Sequence, residues 1–323
     1  MISTRLTQAF GIAHPIVAAP MALAGGGALA AAVSRAGALG LIGGGYGDAA
    51  WLAEQFDAAA DESVGIGFIT WSAQRSPEVV AQALARGPAA FMLSFGDPMA
   101  FARQIHEANV PLICQCQNLD QVRVAIDAGA AVVVAQGAEA GGHGALRGTL
   151  SFVPEVADFV AARSPETLLL AAGGIADGRG LAAALTLGAD GVLMGTRLWA
   201  SSEALVHPRH HEALLATNGD GTIRTRVPDI ARGWAWPAEF TARARKNAFI
   251  DRWEGREDEL AASAATIGPA YRQAWMEGDA DNAGVFFGEA AGLIHEVEPA
   301  ATIIERVVAD ADRTLKATAA SCR

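Results

Sequence analysis

The sequence is poor in side chains that do chemistry unaided. Of its 323 residues, three are cysteine and two are tyrosine, and only 18% are charged. Cys114 and Cys116 lie two apart inside "PLICQCQ", and Cys322 stands near the end. This is neither a CxxC redox pair nor a zinc spacing; it reads as reduced cysteines of a cytoplasmic protein. A pair of catalytic carboxylates, a Ser/His/Asp set and an HExxH motif are all lacking, which argues against a glycosidase, a serine hydrolase or a zinc peptidase. The net charge of −11 argues against nucleic acid or an anionic membrane as the main partner, while leaving room for a local phosphate pocket. The uncharged stretch from Ile16 to Val33 is interrupted by Pro20 and by glycines, and no basic cluster precedes it. A strand, a turn and a buried helix are expected there, not a membrane span or a signal peptide.

What the chain has in quantity is short apolar runs. "PIVAAPM" from Pro15, "ALGLIGGG" from Ala38, "VGIGFIT" from Val64 and "AAFMLSF" from Ala89 are followed by "VPLICQC" from Val110, "AAVVVAQG" from Ala130, "TLLLAAGG" from Thr167 and "DGVLMG" from Asp190. They show little alternation, as strands buried on both faces should. Between them lie segments with helical spacing, many opened by a capping residue: Asp48, Ser76, Asp97, Asn118, Ser151 and Asp177. Strand plus helix repeats every 20 residues or so, which predicts an α/β fold, a (β/α)8 TIM barrel. An open doubly wound sheet is the alternative. The segment 207–281 changes character, with clustered tryptophans and charges, and predicts a helical second domain or lid. Residues 1–206 and 282–323 would then form the barrel.

In such barrels the active site lies at the C-terminal ends of the strands. The residues there are mostly glycine and glutamine, with one histidine, so a cofactor is expected to carry the hard chemistry. "AGGIADGRG" after the seventh run and "MGTR" after the eighth occupy the loops where barrels commonly hold a phosphate. Gly173, Gly174, Gly195 and Thr196 would offer backbone N–H groups; simple tight turns are the bland alternative. "APM" at Ala19, Pro20 and Met21 ends the first run. His143 sits among the four glycines of "QGAEAGGHGAL", between Gln136 and Leu146, and reads as a solvated, a structural or a catalytic residue. Glu139 nearby can simply face solvent. "HPRHH" at His207, His210 and His211 lacks the accompanying carboxylates or cysteines of a metal site and predicts packing between domains or at the surface.

"APM", "QGAEAGGH", "AAGGIADGRG", "GADGVLMGTR" and "GDADNAGVFFGEAAGLI" together resemble the nitronate monooxygenase family, from about Phe10 to the C-terminal helix. The resemblance implies an FMN-binding barrel. It puts the FMN phosphate on Gly173, Gly174, Gly195 and Thr196, and the ring along Ala19, Pro20 and Met21. Gln115 and Gln136 would make polar contacts, Gly141 and Gly142 would line the ring's face, and His143 would be the active-site histidine. It implies oxidation of alkyl nitronates, and of nitroalkanes after removal of a proton by His143, with O2 to carbonyl compounds and nitrite. The partners would be that small substrate and O2, and a homodimer is compatible with it; no metal is expected. An NAD(P)H-dependent FMN reductase of quinones or enoyl thioesters is the alternative, and a non-catalytic metabolite-binding barrel is a third. The sequence departs from one class of the family in its "GVFFGEAAG" segment, where Phe286 and Phe287 stand in a stretch without tyrosine.

Overall fold

The computed structural model describes residues 2–322. Its strands are β1 (Ile16–Ala18), β2 (Leu41–Gly45), β3 (Gly65–Ile69), β4 (Phe91–Ser94), β5 (Leu112–Cys116), β6 (Val132–Gln136), β7 (Gly142–Gly144), β8 (Leu168–Ala172), β9 (Gly191–Met194), β10 (Thr222–Thr225) and β11 (Thr241–Arg245). Eight of them form one parallel sheet in the order β1-β9-β8-β6-β5-β4-β3-β2. A parallel bridge between Val17 and Leu39 joins its two ends, with Leu39 N–H donating to Ile16 and Ala18 N–H to Leu39. The result is a TIM barrel, and every apolar run supplies one of its strands.

The strands are apolar throughout because each buries two different faces. Val17, Leu41, Met92, Ile113, Val134, Leu170 and Leu193 fill the barrel interior. Their neighbours Ile42, Ile66, Leu93, Cys114, Val133, Leu169 and Val192 face the surrounding helices. Cys114 is thus a packing residue, and burial pushes its thiol up to about 12. The period of two carries on past the apolar layers: two residues beyond Ile113 and Val134, the interior positions are Gln115 and Gln136.

Asp48, Asn118 and Asp177 cap their helices through side-chain oxygens, as expected. Ser151 does not. Its helix, Thr149–Arg163, begins two residues earlier, and Ser151 lies inside the first turn. The last helix, Ala300–Ser321, packs on Gly178–Thr186 and on Gly27–Arg35, filling the place in the ring that follows β9.

The 207–281 segment is mainly helical, with Pro208–Leu215, Val227–Arg232, Ala248–Trp253 and Glu257–Met276, but it also holds β10 and β11. "TARAR" alternates half-buried and buried positions along β11, the strand period rather than the helical one. β11 pairs antiparallel with β10 on one side and with β7 on the other. Since β7 comes soon after β6 in the chain, this small sheet ties the segment to the C-terminal mouth of the barrel. Val227, Ala231, Ala244, Ile250, Trp253, Leu260 and Tyr271 form its own apolar core. Among the described residues no helix is long and apolar enough to cross a membrane.

Candidate active site at the barrel mouth

The loop "QGAEAGGHGAL" is not slack: it supplies β7, with His143 paired in register with Ala242 of β11. Gln136, at the end of β6, reaches over the barrel axis. Its amide nitrogen donates to the His143 carbonyl at 3.1 Å, and its oxygen accepts from Gln117 Nε2 at 2.8 Å and from Gln115 Nε2 at 3.3 Å. Three glutamine amides thus form one row. Gln117 is buried, and its own oxygen has no donor among the described residues, so the row ends in an acceptor open to a polar group. The resemblance implies that Gln115 and Gln136 contact the cofactor, and the structure brings the two together at the mouth; Gln117 does not figure in that expectation, although it continues the interior period of β5.

Glu139 does not face solvent. Its carboxylate accepts from the Thr149 N–H at 3.0 Å and from Thr149 Oγ1 at 2.7 Å. It does the capping expected of Ser151, because a carboxylate beside a helix N-terminus satisfies free N–H groups and meets the positive end of the dipole. Thr149 Oγ1 also lies 3.1 Å from the Gly173 carbonyl, so the same contact fixes the loop after β8.

That loop and the one after β9 make a cradle. Gly173 and Gly174 have φ of +101° and +73°. A Cβ on Gly173 would stand 2.9 Å from the Gly137 carbonyl oxygen and from Thr149 Oγ1, so only glycine fits. The N–H groups of Gly174, Gly195 and Thr196 find no acceptor among the described residues, and a Cβ on Gly195 would meet only Ala19, at 3.6 Å. Unpaired backbone donors on the loops after two neighbouring strands suit a phosphate. Thr196 Oγ1 accepts from the Gly288 N–H at 2.9 Å and so also anchors the C-terminal segment. Gly141 serves that contact: a Cβ there would lie 2.5 Å from the Gly288 nitrogen, whereas Gly142 faces open space. Pro20 packs where a Cβ on Gly67 would be, and Met21 bridges the outer barrel core and the cluster around Phe287.

His143 is the one histidine among the residues described at this mouth. Its Nε2 lies 2.8 Å from Asp229 Oδ2, and Asp229 Oδ1 accepts from Arg232 Nη2 at 2.6 Å. A carboxylate only accepts, so Nε2 carries the hydrogen and Nδ1 holds the lone pair. Nδ1 has no partner among the described residues, and the side chain keeps 10% of its surface exposed against 4% for Asp229. Trp236 stacks flat on the imidazole, ring centroids 3.3 Å apart at 6°. Burial holds the His143 pKa below the usual imidazole range; the Asp229 hydrogen bond and charge pull upward, and Arg232 and Arg224 push down again. The ring is therefore neutral near pH 7 and able to take a proton.

Asp229, Arg232 and Trp236 come from "VPDIARGWAW", which in sequence looks like an exposed charged stretch. Asp and Arg three apart on a helix usually make a surface pair. Only tertiary contact turns this helix inward. The "HPRHH" histidines are engaged in packing and hydrogen bonds: His210 is buried, His211 Nε2 meets the Trp199 carbonyl at 3.0 Å, and His207 Nδ1 accepts the Arg209 N–H at 3.2 Å. No cluster of metal-binding side chains occurs among the described residues.

The barrel mouth joins the glycine cradle to a buried His–Asp pair, and comparison with known proteins gives the class: a TIM-barrel oxidoreductase. The family model for nitronate monooxygenase matches residues 3–64 and 63–310. The chain belongs to the nitronate monooxygenase family. It is 35% identical to nitronate monooxygenase npaC of Metarhizium robertsii, covering 90% of this chain and 88% of that protein. FabK from Thermotoga maritima superposes with a TM-score of 0.88 at 31% identity, over 99% of this chain and 100% of that one. A nitroalkane oxidase from Streptomyces ansochromogenes shares the fold, with a TM-score of 0.79 at 24% identity over 95% and 98% of the two chains. Oxidation of nitronates is the activity that the family match and the npaC relationship support.

Proposed function

We propose that the protein is an FMN-dependent nitronate monooxygenase that oxidises alkyl nitronates, and nitroalkanes after deprotonation, with O2 to carbonyl compounds and nitrite. The observation that carries the reading is His143 itself: Nε2 tied to Asp229, Nδ1 free at the mouth of the barrel. The residues present fit FMN. Gly173, Gly174, Gly195 and Thr196 would hold its phosphate, and the glutamine row, with the free Gln117 oxygen, would meet polar atoms of its ring. Ala19, Pro20, Met21, Gly141 and Gly142 would border the ring. When bound, FMN supplies the redox chemistry, taking electrons from the nitronate and returning them to O2.

The protein's own part is positioning and proton transfer. A neutral nitroalkane must lose its α-proton before it is electron-rich enough to be oxidised. His143 Nδ1 accepts that proton, and Asp229 stabilises the imidazolium that results. Arg232 neutralises Asp229, so that the pair adds no net charge to a dry site until the proton arrives. Trp236 excludes water from one face of the imidazole.

The test begins with the visible spectrum of the purified protein, which should show bound flavin. A preparation that is colourless and takes up no added FMN contradicts the reading. Oxygen consumption with ethyl nitronate and with neutral nitroethane then separates the two steps. His143→Ala should slow the neutral substrate by about 10²-fold or more and the nitronate far less. Equal loss on both would remove His143 from the base role.

A further inference from the structure

The wall beside His143 bears on which nitronates the site accepts, a selectivity that rests on the nitronate activity proposed for the same site. Around the imidazole stand Trp236, Phe95, Phe286, Phe240, Trp71 and Tyr46. Phe95 packs edge-on against Trp236 and Phe240, with centroids 5.1 Å away in each case, and lies 6.2 Å from His143. Phe286 lies 6.5 Å from His143 at 25°. Trp71 meets Trp236 at 5.3 Å, and Tyr46 accepts a hydrogen bond from Trp236 Nε1 at 3.2 Å. Phe95 is held at φ +62° at the end of β4. A bulky residue in the left-handed region is strained, and such strain gathers where a side chain must be aimed at a site.

The charges nearby are already engaged. Arg232 binds Asp229 and the Pro228 carbonyl. Arg224 binds the carbonyls of Ala138, Ala140 and Thr241. The chain's two lysines are engaged elsewhere, Lys246 on the Asp220 carbonyl and Lys316 on Asp312. Arg75 lies over the Trp71 ring and is exposed to water, where an ion pair gains little. A substrate carboxylate entering this wall would find Asp229 but, among the described residues, no unengaged buried cation, and would lose its hydration uncompensated.

We infer that the site selects nitronates whose substituent is neutral, apolar and flat, with an aryl group as the best fit, and discriminates against those carrying a carboxylate. A phenyl ring can stack or meet edges with the half-buried Phe95 and Phe286, which Trp236 backs, and leave no polar atom unpaired.

The experiment measures kcat/KM of the holoenzyme for the nitronates of phenylnitromethane and nitroethane and for propionate 3-nitronate. Equilibrium binding of nitrobenzene and of 3-nitropropionate is measured alongside; nitrobenzene has no α-proton and reports the wall without turnover. The expected result is a preference of at least about tenfold for the phenyl compound over the carboxylate in both assays, as pocket complementarity of this kind typically gives. Phe95→Leu and Phe95→Ala should each shrink that preference, mainly through the KM and Kd of the aromatic ligand. Preference for propionate 3-nitronate, equal binding of the two probes, or a preference unchanged in both Phe95 variants overturns the inference. If nitrobenzene binds preferentially while no nitronate is turned over, the apolar selectivity stands and the nitronate reading falls.

Discussion

His143 and Asp229 are 86 residues apart in the chain and 2.8 Å apart at Nε2 and Oδ2, both nearly closed off from solvent. The contact joins a strand formed by a glycine-rich barrel loop to a short helix of the 207–281 segment. It fixes the tautomer of the imidazole and leaves Nδ1 as its only base.

Asp229→Asn tests that contact. An amide at this position can turn its NH2 toward Nε2, which then loses its proton to Nδ1 and removes the lone pair from the open side. Turnover of neutral nitroethane should fall about tenfold or more, with ethyl nitronate less affected. The variant should also unfold at lower temperature, because Arg232 loses its carboxylate. Equal losses on both substrates would assign Asp229 a purely structural part.

The pH profile carries a signed expectation. Burial lowers the His143 pKa, so the acid limb of kcat/KM for nitroethane should lie below about 6.5, the ordinary imidazole value. Asp229 is the group that pulls this pKa up. In Asp229→Asn burial and Arg232 act unopposed, and the limb should move to lower pH. A limb that moves upward, or an identical limb with the nitronate, contradicts the assignment.

Gly173→Ala tests the cradle. The new Cβ would stand 2.9 Å from two fixed oxygens at a φ of +101°. The expected outcome is a protein that folds but retains less flavin, read as a lower flavin-to-protein absorbance ratio and a raised Kd for added FMN. Full retention of flavin would place the phosphate elsewhere.

His210 should make the fold acid-sensitive independently of activity. It is buried with Nε2 unpartnered, and burial, with His207 and His211 beside it, lowers its pKa to about 4. Between about 6.5 and about 4 the unfolded chain binds a proton that the native state refuses, so stability is full above that window and falls as pH drops through it. The loss is on the order of 3 kcal/mol at the lower end. Urea midpoints measured across this range should fall less steeply for His210→Phe than for the parent protein.

The barrel is legible in the sequence because its signal is local and repeated: eight apolar runs, each closed by a turn, with helical spacing between. Strand-end position also places Gln115, Gln136 and His143 at the mouth in the sequence, while the roles assigned to them there come from the family resemblance. Asp229, Arg232 and Trp236 are hidden. They lie in a segment whose charges look solvent-facing, and their burial depends on β11 pairing with β7, a contact no local pattern encodes. Glu139 looks solvent-facing in sequence for a similar reason: its partner, the free end of the Thr149–Arg163 helix, comes within reach only once the loop has folded back. A purely helical expectation for 207–281 misses β10 and β11, because strands this short are brief within a stretch rich in alanine and arginine.

The most direct test of the proposed activity is to mix the flavin-loaded protein with substrate in the absence of O2 and follow the flavin's visible absorbance. Ethyl nitronate should bleach it within the time of a turnover, O2 should restore it with release of nitrite, and NADH or NADPH should leave it oxidised over the same interval. Rapid bleaching by NADH or NADPH, with none by nitronate, would contradict the account and make the protein a pyridine-nucleotide-dependent reductase.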